Sequence, residues 1–331
     1  MVFVKRTLRG KRVLVTGGAG FIGSHLVDHL IAEGVAELIV VDNFFLGQRA
    51  NLAEAYRKLP GLQLLELDAA GDDVLRAAFS RLGTIDVVFD LAVIPLPNSL
   101  EDPQFCFDTN VRITSHLCEL LRKGYFGTLV HFSSSEAYGT AMTVPMSEEH
   151  PLKPITPYAA SKAAGDHLVR TYVASFNVDA LIVRPFNNYG PRQNDQLYAG
   201  IIPMLLSGAF GGNTFKLFGD GRQTRDYIYV TDTVRAVLAL YACFQERGQV
   251  VNIASGQEIS MIDLKTKIEH ILGHPIPMQQ CDPRPGDVQR LVADTTRLKS
   301  LTGFAPQVSF DDGLVKTIEF YRQRASTMQG R

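Results

Sequence analysis

Tyr158 and Lys162 stand four residues apart in TPYAASKAAGDHL. On a helix this spacing places both side chains on one face, one turn apart. A free tyrosine, with a pKa of about 10, is a weak base at neutral pH. A lysine ammonium one turn away favours the phenolate and lowers that pKa. Such a pair can take a proton from an alcohol while a neighbouring nicotinamide takes the hydride. The same spacing also fits a solvated helix face, so its meaning depends on the rest of the chain.

The chain opens with TGGAGFIG, where Gly17, Gly20 and Gly23 separate the apolar run RVLVT from the amphipathic segment FIGSHLVDHLIAEG. Glycines there permit a tight turn and let a pyrophosphate approach a helix N-terminus closely. Asp42 ends the next apolar run, ELIVVD. A carboxylate at that place accepts hydrogen bonds from ribose hydroxyls and repels a 2′-phosphate, which favours NAD over NADP. The plainer alternative for Asp42 is a turn residue closing a strand.

Positioning these residues requires a scaffold. RVLVTG, ELIVVD, LQLLELD, IDVVFDLA, GTLVHFSSS and DALIVRP read as strands, with helical patterns between them. Continuous apolar strands separated by helices imply a parallel sheet covered on both faces. The expected class is therefore α/β, a Rossmann-type doubly wound parallel sheet. After Pro185 the texture changes to loop-like NNYGPRQND and FGDGRQTRD, interleaved with helices. A smaller mixed α/β substrate-binding domain is expected there. The boundaries expected are 1–186, with parts of about 225–255, for the NAD-binding domain. About 187–224 and 256–331 form the second.

Bulk properties exclude several classes. The chain has 331 residues, 46% hydrophobic and 20% charged, with a formal net charge of −1. No global field draws it to nucleic acid or to an anionic membrane. No apolar run reaches the ~20 residues that span a bilayer. The N-terminal VLV runs straight into the glycine loop and reads as strand, not signal peptide. Cys106, Cys118, Cys243 and Cys281 lack metal-ligand or CxxC spacing, which fits reduced thiols in a cytoplasmic protein. His25 and His29 are four apart but have no third ligand, so no metal is expected.

With Tyr158, Lys162 and the Gly-x-x-Gly-x-x-Gly spacing, the chain resembles the extended short-chain dehydrogenase/reductase family. Within it, the nucleotide-sugar epimerase/dehydratase group is nearest, and in motif the NAD-dependent nucleotide-sugar 4,6-dehydratases. The resemblance runs through TGGAGFIGSHL, VDNFFLGQRANL, LDAAGD, DTNV, FSSSEAYG, PYAASK, RPFNNYGPRQ, FGDGRQTRDYIYVTD and RPGDV. It implies that Phe21 and Ile22 accompany the glycines at the cofactor and that Asn43 accompanies Asp42. It places Asp68 and Ala69 at the adenine and Leu91 and Ala92 along the cofactor. Asn110 supports the active-site helix and is counted with the cofactor residues. Lys162 also bonds the nicotinamide ribose.

By the same resemblance Ser134 relays a proton between the sugar O4 and Tyr158, with Ser133 and Ser135 as its neighbours. The shared first step is oxidation at sugar C4. Glu136 then separates the reactions. Plain 4-epimerases carry a non-acid there; dehydratases and some uronate decarboxylases carry Glu. A 4-keto group acidifies the C5 hydrogen, and a carboxylate can remove it. Glu136 could equally be a cap or loop carboxylate facing water. Ser135 stands where some dehydratases have an Asp acid. Ala163 departs from one decarboxylase branch, which has Arg after the catalytic Lys. LAVIPLPNSLEDP departs from the usual relatives, and its two prolines stiffen a loop, Val93 to Ser99, expected to face the sugar.

A nucleotide-diphosphate sugar calls for bidentate arginines. Arg225 and Arg284 match the family's diphosphate positions, and Asn187 matches a diphosphate or sugar contact. Arg192 and Arg222 are supporting candidates, evenly balanced against surface salt bridges. Leu217 and Phe218 are expected to pack on the base. The resemblance implies a homodimer built on a four-helix bundle. The leading expectation is a 4,6-dehydratase, followed by a 4-epimerase, a decarboxylase, and a silent NAD-binding sensor.

Overall fold

The structure is a computed structural model describing residues 5–195, 200–211, 214–243, 247–283 and 288–329. The first half alternates strands and helices: β1 (Arg12–Thr16), α1 (Phe21–Glu33), β2 (Glu37–Val41), α2 (Ala53–Lys58), β3 (Gln63–Leu65), α3 (Asp72–Leu82) and β4 (Ile85–Asp90). It continues through α4 (Leu96–Ser99), α5 (Pro103–Arg122), β5 (Phe126–Phe132), α6 (Pro157–Phe176) and β6 (Ala180–Pro185). The second half contains β7 (Asn187–Tyr189), α7 (Ile201–Gly211), β8 (Phe215–Phe218), β9 (Thr224–Tyr229), α8 (Val230–Cys243), β10 (Val250–Ile253) and β11 (Glu258–Ser260). It ends with α9 (Met261–Leu272), β12 (Met278–Cys281), β13 (Arg290–Leu291), α10 (Thr296–Thr302) and α11 (Phe310–Gln329).

Seven parallel strands form the main sheet in the order β3–β2–β1–β4–β5–β6–β10. This is the Rossmann order, and the strand sequence reverses between β1 and β4. Ligands of open α/β sheets bind beyond the carboxyl ends of the strands at such a switch point. One apolar cluster lies on each face: Val13, Val15 and Leu26 belong to one, Leu14, Ile39 and Leu117 to the other. Burial on both faces explains why these strands are near-continuous apolar runs rather than alternating ones.

The six apolar runs of the sequence account for six of the seven strands. The seventh, β10, comes from the second half and pairs with β6. Helix α8 packs on α1, so it joins β10 on the main sheet. Strand β9 instead pairs with β7, β11 and β13 in a small sheet, and β8 pairs with β12. A third core, including Leu205, Tyr227, Leu264 and Ile318, fills this second lobe.

Two caps aim the helices beneath the site. Thr156 accepts a bond from Ala159 N at 3.1 Å, and Pro157 occupies the first helical position of α6. Both are signals for starting a helix, so Tyr158 falls in its first turn. Asp102 and Pro103 start α5 in the same way.

Candidate active site

Glycine is required by geometry at the turn after β1. Gly17 has φ +67°, and a Cβ there would lie 2.8 Å from the backbone of Leu91 and Ala92. A Cβ on Gly23 would lie 2.2 Å from the Gly17 carbonyl oxygen. The loop and the first turn of α1 therefore touch backbone to backbone, leaving the helix N-terminus open at Gly20. A dinucleotide pyrophosphate fits this cradle, because side chains are absent where it must approach.

The cleft above the cradle, about 470 Å³, is lined by all three glycines, Phe21, Ile22, Asp42, Asn43, Asp68, Ala69, Leu91 and Ala92. Asp42 is buried and accepts bonds from Ala19 N at 2.9 Å and Phe44 N at 2.8 Å. Burial raises its pKa. Asn43 and Asp68 each close a short turn, accepting from Phe45 N at 3.0 Å and Ala70 N at 2.9 Å. The Leu91 and Ala92 amides both donate to the Thr16 hydroxyl at 3.1 Å, which fixes that wall.

The candidate reacting groups Ser134, Ser135, Glu136, Tyr158 and Lys162 line the same cleft, with Ser133 beside them. β5 ends at Phe132 and the chain makes a single 3-10 turn, Ser135–Tyr138. Ser134 caps that turn, accepting from Glu136 N at 3.2 Å, and its hydroxyl is near enough to the Tyr158 phenol to lower its pKa. Lys162 is buried and donates to the Phe132 carbonyl at 2.8 Å.

The acidified phenol expected from the Tyr158–Lys162 spacing is not what the structure contains. Burial pushes the Tyr158 pKa up to about 12, the Ser134 hydroxyl pulls it down, and the Glu136 charge pushes it up. Burial likewise lowers the pKa of Lys162, with Asp90 and Asp166 opposing it. Spacing alone carries no information about desolvation, which here raises the phenol pKa together with the Glu136 charge.

Asn110 stands behind the cleft wall rather than on it. Its amide oxygen accepts from Ile94 N at 2.8 Å, and its nitrogen donates to Ile94 O at 3.1 Å and Ser161 Oγ at 3.0 Å. It thereby ties the proline loop, whose Val93–Pro97 stretch lines the cleft, to the helix of Tyr158.

The expected substrate residues divide. Asn187 lines the cleft, and its buried Oδ1 has no hydrogen-bond partner among the described residues. Arg192 also lines it, at φ +67°, but its guanidinium bonds Asp28 at 2.7 Å. Leu217 is buried in the core of the second lobe. Phe218 lines a separate hollow with Gln223, Cys281 and Pro283. Arg225 lies on β9, away from the main cleft, and donates to the Thr224 carbonyl at 2.9 Å. Arg222 is exposed beside Asp220 at 3.6 Å. Arg284 lies outside the described residues. His25 bonds the Pro191 carbonyl and His29 the His25 carbonyl, each at 2.9 Å.

Sequence reasoning missed Asn188 and Gln193, which line the cleft with buried side-chain oxygens lacking partners among the described residues. Their signal was the run of amides in NNYGPRQ. It also missed a buried ionic row under Lys162. Strand register places Thr16 beside Asp90 and Asp90 beside His131. Thr16 Oγ1 donates to Asp90 at 2.9 Å, and His131 Nδ1 lies 2.8 Å from the other Asp90 oxygen. His131 Nε2 faces Asp166 at 4.0 Å, and Asp166 pairs with Arg184.

The chain is similar to known proteins along most of its length. The pattern of the NAD dependent epimerase/dehydratase family matches residues 13–254. A UDP-glucose 4-epimerase from Mycolicibacterium smegmatis is 36% identical, over 95% of this chain and 99% of the relative. A dTDP-glucose 4,6-dehydratase from Actinoplanes sp. is 32% identical, over 95% and 99%. A double mutant of the Streptomyces venezuelae dTDP-glucose 4,6-dehydratase, solved with NAD bound, superposes with a TM-score of 0.89 at 32% identity, covering 96% of this chain and 98% of that one. The cofactor is NAD. No described helix is long and apolar enough to cross a membrane.

Proposed function

The chain belongs to the NAD dependent epimerase/dehydratase family, and from that membership we propose that it performs a 4,6-dehydration of a nucleotide-diphosphate sugar. The observation that carries this reading is Glu136. It shares the cleft with Ser134, Tyr158 and Lys162, close enough for its charge to act on the Tyr158 phenol.

In this mechanism the sugar O4–H gives its proton to Tyr158, directly or through Ser134. NAD, held by the cradle of Gly17, Gly20 and Gly23 and by Asp42, would supply a hydride acceptor for C4–H and the donor that reduces C6. Lys162 holds positive charge beside the developing phenolate. The resulting 4-keto group acidifies C5–H, and Glu136 takes that proton. The C6–O bond then breaks, and the proton held by Glu136 leaves with the C6 hydroxyl as water. With C6 reduced, the O4 proton held by Tyr158 passes to C5, which restores the phenolate and gives the 4-keto-6-deoxy sugar. Asn187 and Asn188 offer their amide oxygens as acceptors to sugar hydroxyls. Arg225 and Arg284 remain diphosphate residues by motif position alone.

Substrates with their own carboxylate are disfavoured. The cations among the described lining residues are Lys162 and Arg192; one bonds a carbonyl and the other bonds Asp28. The second reading is a 4-epimerase, favoured by Ser135, a buried hydroxyl with no acid function beside Glu136. We further propose a cytoplasmic homodimer built on α5 and α6.

Mass spectrometry of the products from UDP-, dTDP-, GDP- and CDP-sugars with NAD tests the reading. Loss of water is expected; an isomer of unchanged mass would establish the epimerase instead. Glu136→Gln should block water loss and still yield the 4-keto sugar. Dehydration by that variant at the wild-type rate would remove Glu136 from its role.

A further inference from the structure

We infer that the buried Asp166–Arg184 ion pair is a positioning device that clamps both ends of the Ser134–Glu136 segment to the helix carrying Tyr158 and Lys162. Asp166 follows Lys162 by one helical turn, as Lys162 follows Tyr158, so all three share one face of α6. Its side chain is almost wholly buried, at 1% exposure, and accepts the Ser133 hydroxyl at 2.8 Å. Ser133 is the residue immediately before Ser134. That bond fixes the entrance of the segment.

The exit is held by the partner charge. Arg184, 2% exposed on β6, donates to the same Asp166 oxygen that Ser133 occupies. Its guanidinium lies 4.3 Å over the Tyr138 ring. Tyr138 closes the 3-10 turn two residues after Glu136 and is anchored at its far end by Asn252, at 2.8 Å from the phenol oxygen. One ion pair thus touches the residue before Ser134 and the last residue of the turn carrying Glu136. A buried charge pair without a task is often replaceable by apolar residues at no loss of stability. Here each charge has a second contact, and both contacts flank the reacting groups.

The cleft side supports this division of labour. Ser133 lines the cleft, but Asp166, Arg184 and Tyr138 do not. Arg184 and Tyr138 can therefore affect turnover only through the groups they hold, whereas Asp166 also acts on Lys162 by its charge, which Ser133→Ala and Tyr138→Leu leave in place. The kinetic arm of the test rests on the dehydratase reading; the exchange arm does not.

The test uses the full-length protein carrying Ser133→Ala, Tyr138→Leu, both together, Asp166→Asn and Asp166→Glu. Hydrogen exchange of residues 134–138 should rise locally in Ser133→Ala and Tyr138→Leu. A displacement near 1 Å should lower kcat by about 10- to 100-fold, while KM and NAD affinity hold. Asp166→Glu should recover part of the loss seen in Asp166→Asn. If Asp166→Asn fails to fold, the two milder variants carry the test. Folded Ser133→Ala and Tyr138→Leu with unchanged exchange and kcat overturn the clamp. A joint fall in kcat, substrate binding and NAD affinity overturns it too, because that marks general loosening. Should the wild type process no nucleotide sugar, the dehydratase reading falls and exchange alone decides. A rise confined to 134–138 then supports the clamp, and a diffuse rise or none refutes it.

Discussion

Gly23→Ala puts one methyl group into the tightest backbone contact of the cofactor cradle. The new carbon would sit 2.2 Å from the Gly17 carbonyl oxygen and 2.9 Å from Gly18 Cα. Carbon contacts are comfortable from about 3.5 Å, so the first turn of α1 must withdraw by roughly 1 Å. Neither obstacle is a side chain that can rotate away. Overpacking of this kind costs about 1–3 kcal/mol. If the strain falls on the folded state, urea denaturation should show that loss directly. If the loop yields only when cofactor binds, the same energy appears as a roughly 5- to 150-fold weaker NAD affinity in calorimetry. Gly61→Ala is the control, since nothing lies within 4 Å of its added carbon; it should stay within about 0.5 kcal/mol. A Gly23→Ala protein with wild-type stability and wild-type NAD affinity would refute the close-approach argument.

The Tyr158 phenol, pushed up to about 12, is protonated at neutral pH. kcat/KM should therefore climb with pH across the roughly neutral-to-alkaline range, and Tyr158→Phe should abolish activity; a flat profile would place the proton elsewhere. His25 is the clearest acid-sensitive element, with burial lowering its pKa from 6.5 to about 4. The unfolded chain binds that proton more readily, so the stability it contributes is complete above about pH 6.5 and lost as pH falls to about 4. The loss is about 3 kcal/mol. Urea midpoints at neutral and acidic pH, compared with those of His25→Gln, check this; an unchanged pH slope in the variant would contradict it.

Much of the site is legible because it is local. Gly17, Gly20 and Gly23 lie in one turn, and Tyr158 and Lys162 lie on one helix whose start is announced by Thr156 and Pro157. The cleft gathers these with Asp42, Asp68 and Glu136. What sequence reasoning misses depends on pairing between distant segments. His131 is an ordinary residue of GTLVHFSSS until strand register sets it beside Asp90. Arg192 reads as an anion ligand until α1 brings Asp28 to it. Arg225 matches a motif, but its place on β9 is set by pairing with β11 and β13, which lie far from it in sequence. Tyr158 was recognised by type and spacing, but its pKa is set by how much water the surrounding elements exclude.

The seventh strand has a consequence for how the molecule comes into being. β6 is buried at every position, and β10 is its outer neighbour in the sheet. A ribosome completes β6 long before β10 emerges, because the whole of β7, α7, β8, β9 and α8 intervenes. Through that interval β6 is an uncovered apolar edge, the kind of surface that pairs with other chains. The halves therefore cannot be parted at residue 186 into two self-sufficient pieces. A fragment ending there would keep the cofactor loop and the Tyr158 helix yet present a sticky border, and its fate in solution would be association rather than catalysis. The last parallel strand acts as a seal, and the reaction chamber is finished only when the second half of the chain has delivered it.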